Sequence, residues 1–382
     1  MDVCDCLIVG GGPAGSTCAR MLRRSGLDVV VLDKQRFPRD KVCAGWITPA
    51  VFDLLELTPA EYASGNGRTL QPITGFRVGR MGYPEARVVY GRPVSFGIRR
   101  SQFDHFLLER SGARLRLGEP VKHLERVGDQ WIANGEIKTP VVVGAGGHFC
   151  PVARHLGATI GRNEPIVAAA EVEFAMTASQ QAACTTRPEE PELLFTEDLK
   201  GYGWSFRKDG FINVGLGRRD PERLAGHRTR FVEALQAAGK IPRELPLRFR
   251  GHAYLLWGEA SRQLLADGVL LIGDAAGLAY PMSGEGIRPA IESGLLAARV
   301  LLDAREEYRQ ARLERYRRLL TARFGRRDPT PGIDGSRLMP QRWLCNVTGR
   351  LMGTPWFSRR VVVERWFLRS RQAPLTAHLE RA

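Results

Sequence analysis

No apolar run in the 382-residue sequence approaches the roughly 18 residues that a membrane-spanning helix needs, so no spanning segment is expected. Seven cysteines, an odd number at irregular spacing, fit a reducing compartment better than a set of secreted disulfides. There is no Ser-His-Asp pattern, no zinc-ligand spacing and no Walker loop. Cys4-x-Cys6 has no second ligand pair nearby, so a metal is not expected, and Cys4, Cys6 and Cys18 read as core. His105 and His148 stand alone and read as structural or surface histidines. Internal repeats and low-complexity linkers are also missing. The second residue is acidic and a strand begins almost at once, so no signal peptide is expected, and a cytoplasmic location is.

What is present is ordinary globular material: 43% hydrophobic residues and 42 glycines exclude collagen and wholesale disorder. The length predicts two domains or one large composite one. Net charge is the unusual quantity. Of the formal +15, residues 299–382 supply +11, from 19 arginines against 8 acidic residues. Such a tail could meet nucleic acid, an anionic membrane or an anionic substrate, or be a solvated helical face. No nucleic-acid reader motif accompanies it, so nucleic acid is not expected as a partner. Arg359, Arg360, Arg365, Arg369 and Arg371 interleave with Trp356, Phe357, Trp366 and Phe367, the composition of an interfacial anchor. Projected at 100° per residue, however, Trp356, Val363 and Phe367 share a side while Val362 and Trp366 fall elsewhere. A helix packed on the protein fits that distribution equally well.

The N-terminus has βαβ spacing. An apolar strand at Cys6 to Val9 runs into Gly10-Gly11-Gly12-Pro13-Ala14-Gly15, and a helix follows with Cys18, Ala19 and Leu22 inward. Val29 to Leu32 form the next strand, ending at Asp33, which predicts a buried parallel sheet. Short strands at Gly75 to Val78 and Ala86 to Tyr90 precede a helix at Ser101 to Arg110. Val141 to Gly144 and Val269 to Ile272 return to the first sheet. From Ile166 to about Leu256 the chain reads largely as β, with a helix near Pro221 to Ala238. A long helical region broken by Pro329, Pro331 and Pro340 ends the chain. The expected class is α/β: a Rossmann-like nucleotide domain (1–75, 100–165 and 262–325) interleaved with a mainly antiparallel β substrate domain (76–99 and 166–261). A basic helical region (326–382) completes it.

Gly10-x-Gly12-x-x-Gly15 lies between strand and helix, with an acid 21 residues after Gly12. Gly10 permits the tight turn, Gly12 lets backbone approach a pyrophosphate, and Gly15 lets helix and strand pack closely. The helix N-terminus stabilises phosphate charge. Asp33 would accept hydrogen bonds from ribose hydroxyls, favouring FAD or NAD over a 2′-phosphorylated cofactor. A second signature separates the two. Ile272-Gly273-Asp274-Ala275-Ala276 ends an apolar strand, and Pro281-Met282-Ser283-Gly284-Glu285-Gly286-Ile287 opens a long helix. An Asp there can bond a ribityl chain, and the helix N-terminus suits the negative charge of a reduced flavin. FAD is the expected cofactor.

These residues resemble a known group. Gly10-x-Gly12-x-x-Gly15, Arg100 within Arg99-Arg100-Ser101-Gln102-Phe103-Asp104, and Gly273-Asp274 are similar to the three FAD-contact motifs of the para-hydroxybenzoate hydroxylase-fold flavoproteins. Within that group, Phe37 through Gly45, Gly201-Tyr202-Gly203-Trp204-Ser205-Phe206, and Gly273 through Gly294 resemble the geranylgeranyl reductase family. The resemblance covers most of residues 1–300. It implies that Gly10, Gly12, Pro13, Ala14, Gly15, Asp33, Lys34, Arg39, Cys43, Ala44 and Arg100 hold FAD. Gly273, Asp274, Gly284, Gly286 and Ile287 would join them. Cys43 would lie near the flavin with a redox or gating part, or be a small buried hydrophobe. Arg39 and Lys41 could hold a phosphate or carboxylate; surface placement is simpler.

Three departures stand out. Gly144-Ala145-Gly146-Gly147 lacks the acid of the Gly-Ala-Asp-Gly that hydroxylases of this fold carry, Arg207 replaces a usual proline, and Trp46 replaces a usual glycine. The last two are expected at the substrate pocket. Tyr202, Trp204 and Phe206 alternate on one strand face and, with Trp46 and Pro281, would wall that pocket, although an aromatic core face has the same pattern. The expected activity is reduction of C=C bonds in an isoprenoid or lipid-like substrate, by hydride from flavin N5. Cys43 and Tyr202 are the candidate catalytic side chains. The alternatives are a monooxygenase acting through a C4a-hydroperoxide and a partner- or membrane-docked electron-transfer flavoprotein. The Trp-x-Trp-x-Ile-Pro pattern of flavin halogenases is absent. NADPH, NADH or a ferredoxin is the expected electron donor, a hydrophobic small molecule or lipid the partner, and peripheral membrane contact through the C-terminus a further expectation.

Overall fold

A computed structural model describes residues 1–65, 67–159, 164–246, 248–327 and 341–375, the side chains of 341–344 excepted. Pro329, Pro331 and Pro340 lie outside the described residues. Among these, the first sheet has the spatial order Leu265–Ala266, Val269–Leu271, Val142–Gly144, Cys6–Val9, Val29–Asp33, Arg114–Leu117. All its pairings are parallel except that of the two outermost strands at one edge, Leu265–Ala266 and Val269–Leu271. Helices and loops cover both faces, which is why Cys6–Val9 and Val29–Asp33 are buried at every residue. The helix Pro13–Arg24 starts on a proline whose fixed φ suits a first turn. It packs against the helix Ile287–Ala304 so closely that a Cβ on Gly294 would stand 2.5 Å from the Ala14 carbonyl oxygen.

A second sheet of seven strands runs Arg250–Leu255, Ile166–Ala175, Phe211–Arg218, Gly201–Lys208, Glu192–Phe195, Gly75–Arg80, Ala86–Val89. Only the Glu192–Phe195 and Gly75–Arg80 pair is parallel. The helix Leu224–Ala237 covers one face through Phe231 and Leu235. A three-stranded sheet, Trp46–Ile47, Ser95–Ile98 and Leu70–Ile73, contacts the strand Gly201–Lys208.

The C-terminal segment covers the other face, so of the readings left open for this helix the packed one describes its apolar side. Met352, Val362, Val363, Phe367 and Leu368 are buried with Phe76, Phe195, Trp204 and Phe206. Ser358–Phe367 is a π-helix. Its i→i+5 spacing puts Val362 beside Phe367 and Val363 beside Leu368, so a projection at the α-helical angle scatters a face that is continuous in the molecule. The Leu368 N–H donates to the Val363 carbonyl at 2.8 Å in that register. Several arginines of this region are ion-paired or stacked: Arg323 on Glu292, Arg359 and Arg360 on Glu364, Arg369 over Tyr280.

Candidate active site

A cavity of about 970 Å³ opens at the carboxyl ends of the parallel strands and reaches the aromatic face of the seven-stranded sheet. Its nucleotide end is built from backbone. Gly10 has φ +117°, and a Cβ there would lie 2.3 Å from the Ala145 oxygen. A Cβ on Gly15 would stand 2.0 Å from the Gly10 oxygen. Gly12 is different: it lines the cavity, and its nearest neighbour would be Arg39 Nη2 at 3.4 Å. The helix it caps has no side-chain cap and no acid in its first turn, so its N-terminal N–H groups and partial positive charge are left for a phosphate. Asp33 accepts the Gly11 and Gln35 N–H groups, each at 2.8 Å, fixing the carboxylate at the mouth of the same cavity. Lys34 lines the cavity beside it.

Arg39 and Lys41 are not surface residues. Arg39 lies 3.2 Å from Asp104, which Arg100 also grips with two bonds of 2.8 Å. Arg100 is buried, and although burial opposes its charge, Asp104 and the neighbouring Cys43 thiol hold its pKa above the ordinary value. Lys41 Nζ is 2.8 Å from His252 Nε2 and 3.8 Å from Asp274 Oδ2, with His252 Nε2 3.4 Å from the same oxygen. Burial lowers the Lys41 pKa to about 8 against the attraction of Asp274. Burial would raise Asp274, yet the His252 bond and the Lys41 charge leave it below the usual carboxylate range. Gly273 (φ +58°) and Gly284 (φ +64°) need the left-handed region, and Asp274, Gly284, Gly286 and Ile287 all line the cavity.

Cys43 and Ala44 line the cavity on a turn held from behind. Cys43 Sγ accepts the Gly45 N–H at 3.4 Å. Lys208 Nζ, fully buried, donates to the carbonyls of Ala44 (2.9 Å) and Ile98 (3.1 Å) and to Glu173 (2.6 Å). Asn213 donates to the Cys43 carbonyl at 3.2 Å and accepts from Trp204 Nε1 at 2.8 Å. Glu171, next to Asn213, is pushed up to about 7 by burial.

The structure divides the expected aromatic wall. Tyr202, Trp204 and Trp46 line the cavity; Phe206 sits behind them, buried against Trp46 at 5.6 Å, and is core. Pro281 is exposed and outside the cavity lining, because the chain turns away between Ala279 and Ser283. Arg207, at the alternate position of its strand, reaches the carbonyls of Cys184 and Thr186 instead of the pocket. His148 is neither isolated nor on the surface: it is 1% exposed, with Nδ1 3.2 Å from Arg262, and burial together with that cation lowers its pKa to about 4. His105 pairs with Glu109 one turn on.

Sequence reasoning missed His252, Tyr254, Glu285 and Phe367, all of which line the cavity. His252-x-Tyr254 carries the same period-2 signal as Tyr202-x-Trp204, on the strand Arg250–Leu255. Phe367 gave no signal, because its placement depends on the π-helical turn.

The FAD binding domain family matches residues 3–60. Menaquinone reductase of Mycobacterium tuberculosis is 33% identical over 350 residues, covering 85% of this chain and 81% of that protein. Digeranylgeranylglycerophospholipid reductase of Methanocaldococcus jannaschii is 27% identical over 314 residues, covering 78% and 77%. Among solved structures, a geranylgeranyl bacteriochlorophyll reductase-like protein from Thermoplasma acidophilum superposes with a TM-score of 0.73 at 20% identity over 100% of this chain and 99% of that one. The halogenase PltM with FAD gives 0.68 at 18% identity, covering 84% and 74%, a likeness of fold alone. The glycine cradle, the uncapped helix and the size of the cavity fit FAD, and the chain belongs to the geranylgeranyl reductase family of FAD-dependent oxidoreductases.

Proposed function

We propose that the protein saturates carbon–carbon double bonds of an isoprenoid or related lipid-like substrate. The observation that supports this reading most is one continuous cavity, with the nucleotide cradle at one end and Trp46, Tyr202 and Phe367 at the other. Reduced FAD, when bound, supplies the hydride. The protein's part is to bind, orient and keep water out. Gly10, Gly12 and Gly15 would bring backbone to the pyrophosphate, Asp33 would take the adenosine ribose, and Asp274 the ribityl chain. The aromatic side chains offer a flat apolar surface for a prenyl chain. Cys43 faces the same space on a turn that Lys208 and Asn213 immobilise.

Oxygen insertion is the competing chemistry, and Gly144-Ala145-Gly146-Gly147, which lacks the hydroxylase acid, weakens the form of it in which NADPH is recruited through that segment. The test is to incubate dithionite-reduced holoenzyme without oxygen with a menaquinone or a digeranylgeranylglycerophospholipid and weigh the product after exposure to air. A lasting gain of two hydrogens supports the proposal. A product that returns to its starting mass points to quinone-ring reduction, and a product that gains oxygen when air is admitted overturns the reading.

The same reading includes a lipid surface as the source of substrate. No described helix is long and apolar enough to cross a membrane. Trp356 is 70% exposed on the C-terminal segment, with Leu351, Arg359 and Arg360 also exposed there. An exposed indole beside arginines is suited to an anionic bilayer interface. Flotation with phosphatidylglycerol vesicles, lost in Trp356→Ala, is the expected result; equal flotation of both proteins would remove this part of the proposal.

A further inference from the structure

The reduction proposed above needs a proton as well as a hydride, and we propose that Glu285 is the acid that supplies it; this inference rests on that reading. Glu285 lies in the loop between Tyr280 and the helix Ile287–Ala304, and it lines the cavity with Tyr202, Tyr254, Ser283 and Phe367. Its backbone is fixed. The Tyr280 N–H donates to the Glu285 carbonyl at 3.0 Å, the Gly284 N–H donates back to Tyr280 at 2.9 Å, and Gly284 holds the left-handed φ that the turn requires.

The carboxyl group is the unusual part. Both its oxygens are buried and neither has a hydrogen-bond partner, which holds for no other carboxyl group among the described residues. Every comparable buried acid is committed: Glu173 to Lys208, Glu192 to Lys240, Glu292 to Arg288 and Arg323, Asp104 to Arg100. A buried carboxylate without a partner is expensive, whereas a carboxylic acid there keeps a hydrogen to donate.

The groups facing it agree. Arg288 and Glu292 come from the following helix, but Arg288 is bound to Glu292 at 2.9 Å. Arg369 comes from the C-terminal segment and lies 3.7 Å over the Tyr280 ring. Tyr280 and Tyr202 complete the surround, both raised by burial and therefore poor acids. The Tyr202 hydroxyl is also committed, donating to the Ser283 carbonyl. Burial pushes the Glu285 carboxyl up to about 7, Arg288 opposing and Glu292 reinforcing.

The step balances. The π bond of the alkene breaks, one carbon gains hydrogen and two electrons from the reduced cofactor, and the other gains the proton of the Glu285 O–H. The alkene is reduced, the cofactor is oxidised, and Glu285 is left as a carboxylate near the N-terminus of an 18-residue helix, where negative charge is stabilised. Solvent returns the proton before the next turnover.

The experiment mixes dithionite-reduced holoenzyme anaerobically with a digeranylgeranylglycerophospholipid, which has no quinone ring to take the electrons, in detergent micelles and follows the return of oxidised flavin absorbance across pH. Wild type should slow as pH rises through about 7, and Glu285→Gln should be about 100-fold slower with no such inflection, its flavin content unchanged. Glu285→Asp should retain part of the rate. A Gln variant with the wild-type rate and pH profile overturns the proposal. A second readout needs no turnover: the difference infrared spectrum, wild-type holoenzyme minus the Gln variant, should show a protonated carboxyl band at pH 6 that fades as pH rises through about 7, the bands of Glu171 and other buried acids cancelling. Its absence from that difference at pH 6 likewise overturns the proposal. Wild type that shows the band but saturates no substrate refutes the function reading, and a wild type that turns over with an unaffected Gln variant refutes only the role of Glu285.

Discussion

Phe367 stacks on Trp46, ring centroids 5.2 Å apart and planes 23° from parallel. The contact joins the C-terminal π-helix to the short strand that follows the Cys43 turn, and both rings line the cavity. Phe367 also meets Tyr202 edge-on at 5.2 Å and 89°. The last part of the chain therefore completes a wall begun by residues far earlier in sequence.

Replacing Phe367 with Ala should cost about 3–5 kcal/mol, the range for emptying a buried aromatic site. FAD should remain bound, since the ring touches none of the nucleotide cradle, while KM for a prenylated substrate rises. Chemical denaturation, flavin absorbance and steady-state kinetics on one preparation check all three. A variant with unchanged KM would remove Phe367 from the substrate wall.

Lys208 supports the Cys43 turn from below. Lys208→Met removes the donor from two backbone carbonyls and leaves Glu173 with Asn213 at 3.1 Å and Arg99 at 3.5 Å. Breaking one side of a buried ion pair costs about 3–5 kcal/mol. The double variant Lys208→Met/Glu173→Gln should recover part of that loss, because the carboxylate that lost its closest cation is no longer charged. Urea midpoints of the two single variants and the double variant measure the coupling, and additive effects would contradict it.

Much of the nucleotide half was legible because its signals are local. A strand, three spaced glycines, a helix and a terminal acid lie within residues 6–33, and Gly273-Asp274 repeats the logic on one later strand. The substrate half was legible only as alternation, which says that Tyr202, Trp204 and Phe206 share a face but not which of them another ring covers. Trp46 covers Phe206, and that pairing joins two sheets. Lys41, His252 and Asp274 converge from three separate segments, so no spacing rule could assemble them. The C-terminal helix stayed undecided between a packed face and an interfacial one for a different reason: its turn is wider than the α-helical period used to read it.

His148 makes stability depend on pH. Its folded pKa of about 4 lies below its ordinary 6.5, so between those values the unfolded chain binds a proton that the folded one refuses. Stability should therefore fall as pH drops from about 6.5 to about 4, by an amount on the order of 3 kcal/mol from this group. His148→Asn retains an acceptor for Arg262 and should flatten that part of the profile. Denaturant midpoints at several pH values test it; parallel curves for the two proteins would assign the acid sensitivity elsewhere.

Gly12 and Gly15 stand three residues apart in one motif, yet alanine at each should fail differently. At Gly15 the new methyl would sit 2.0 Å from the Gly10 carbonyl oxygen, a contact that only movement of helix against strand could relieve. At Gly12 the nearest atom is the end of the Arg39 side chain at 3.4 Å, so the apoprotein accommodates the methyl without strain. The cost appears when a pyrophosphate must approach that backbone. Gly15→Ala should therefore give little folded protein with or without added FAD. Gly12→Ala should give a folded protein with native circular dichroism and about 10-fold or more weaker FAD binding, equivalent to roughly 1.4 kcal/mol. Flavin retained at wild-type occupancy in Gly12→Ala would mean that the phosphate lies elsewhere along the cavity.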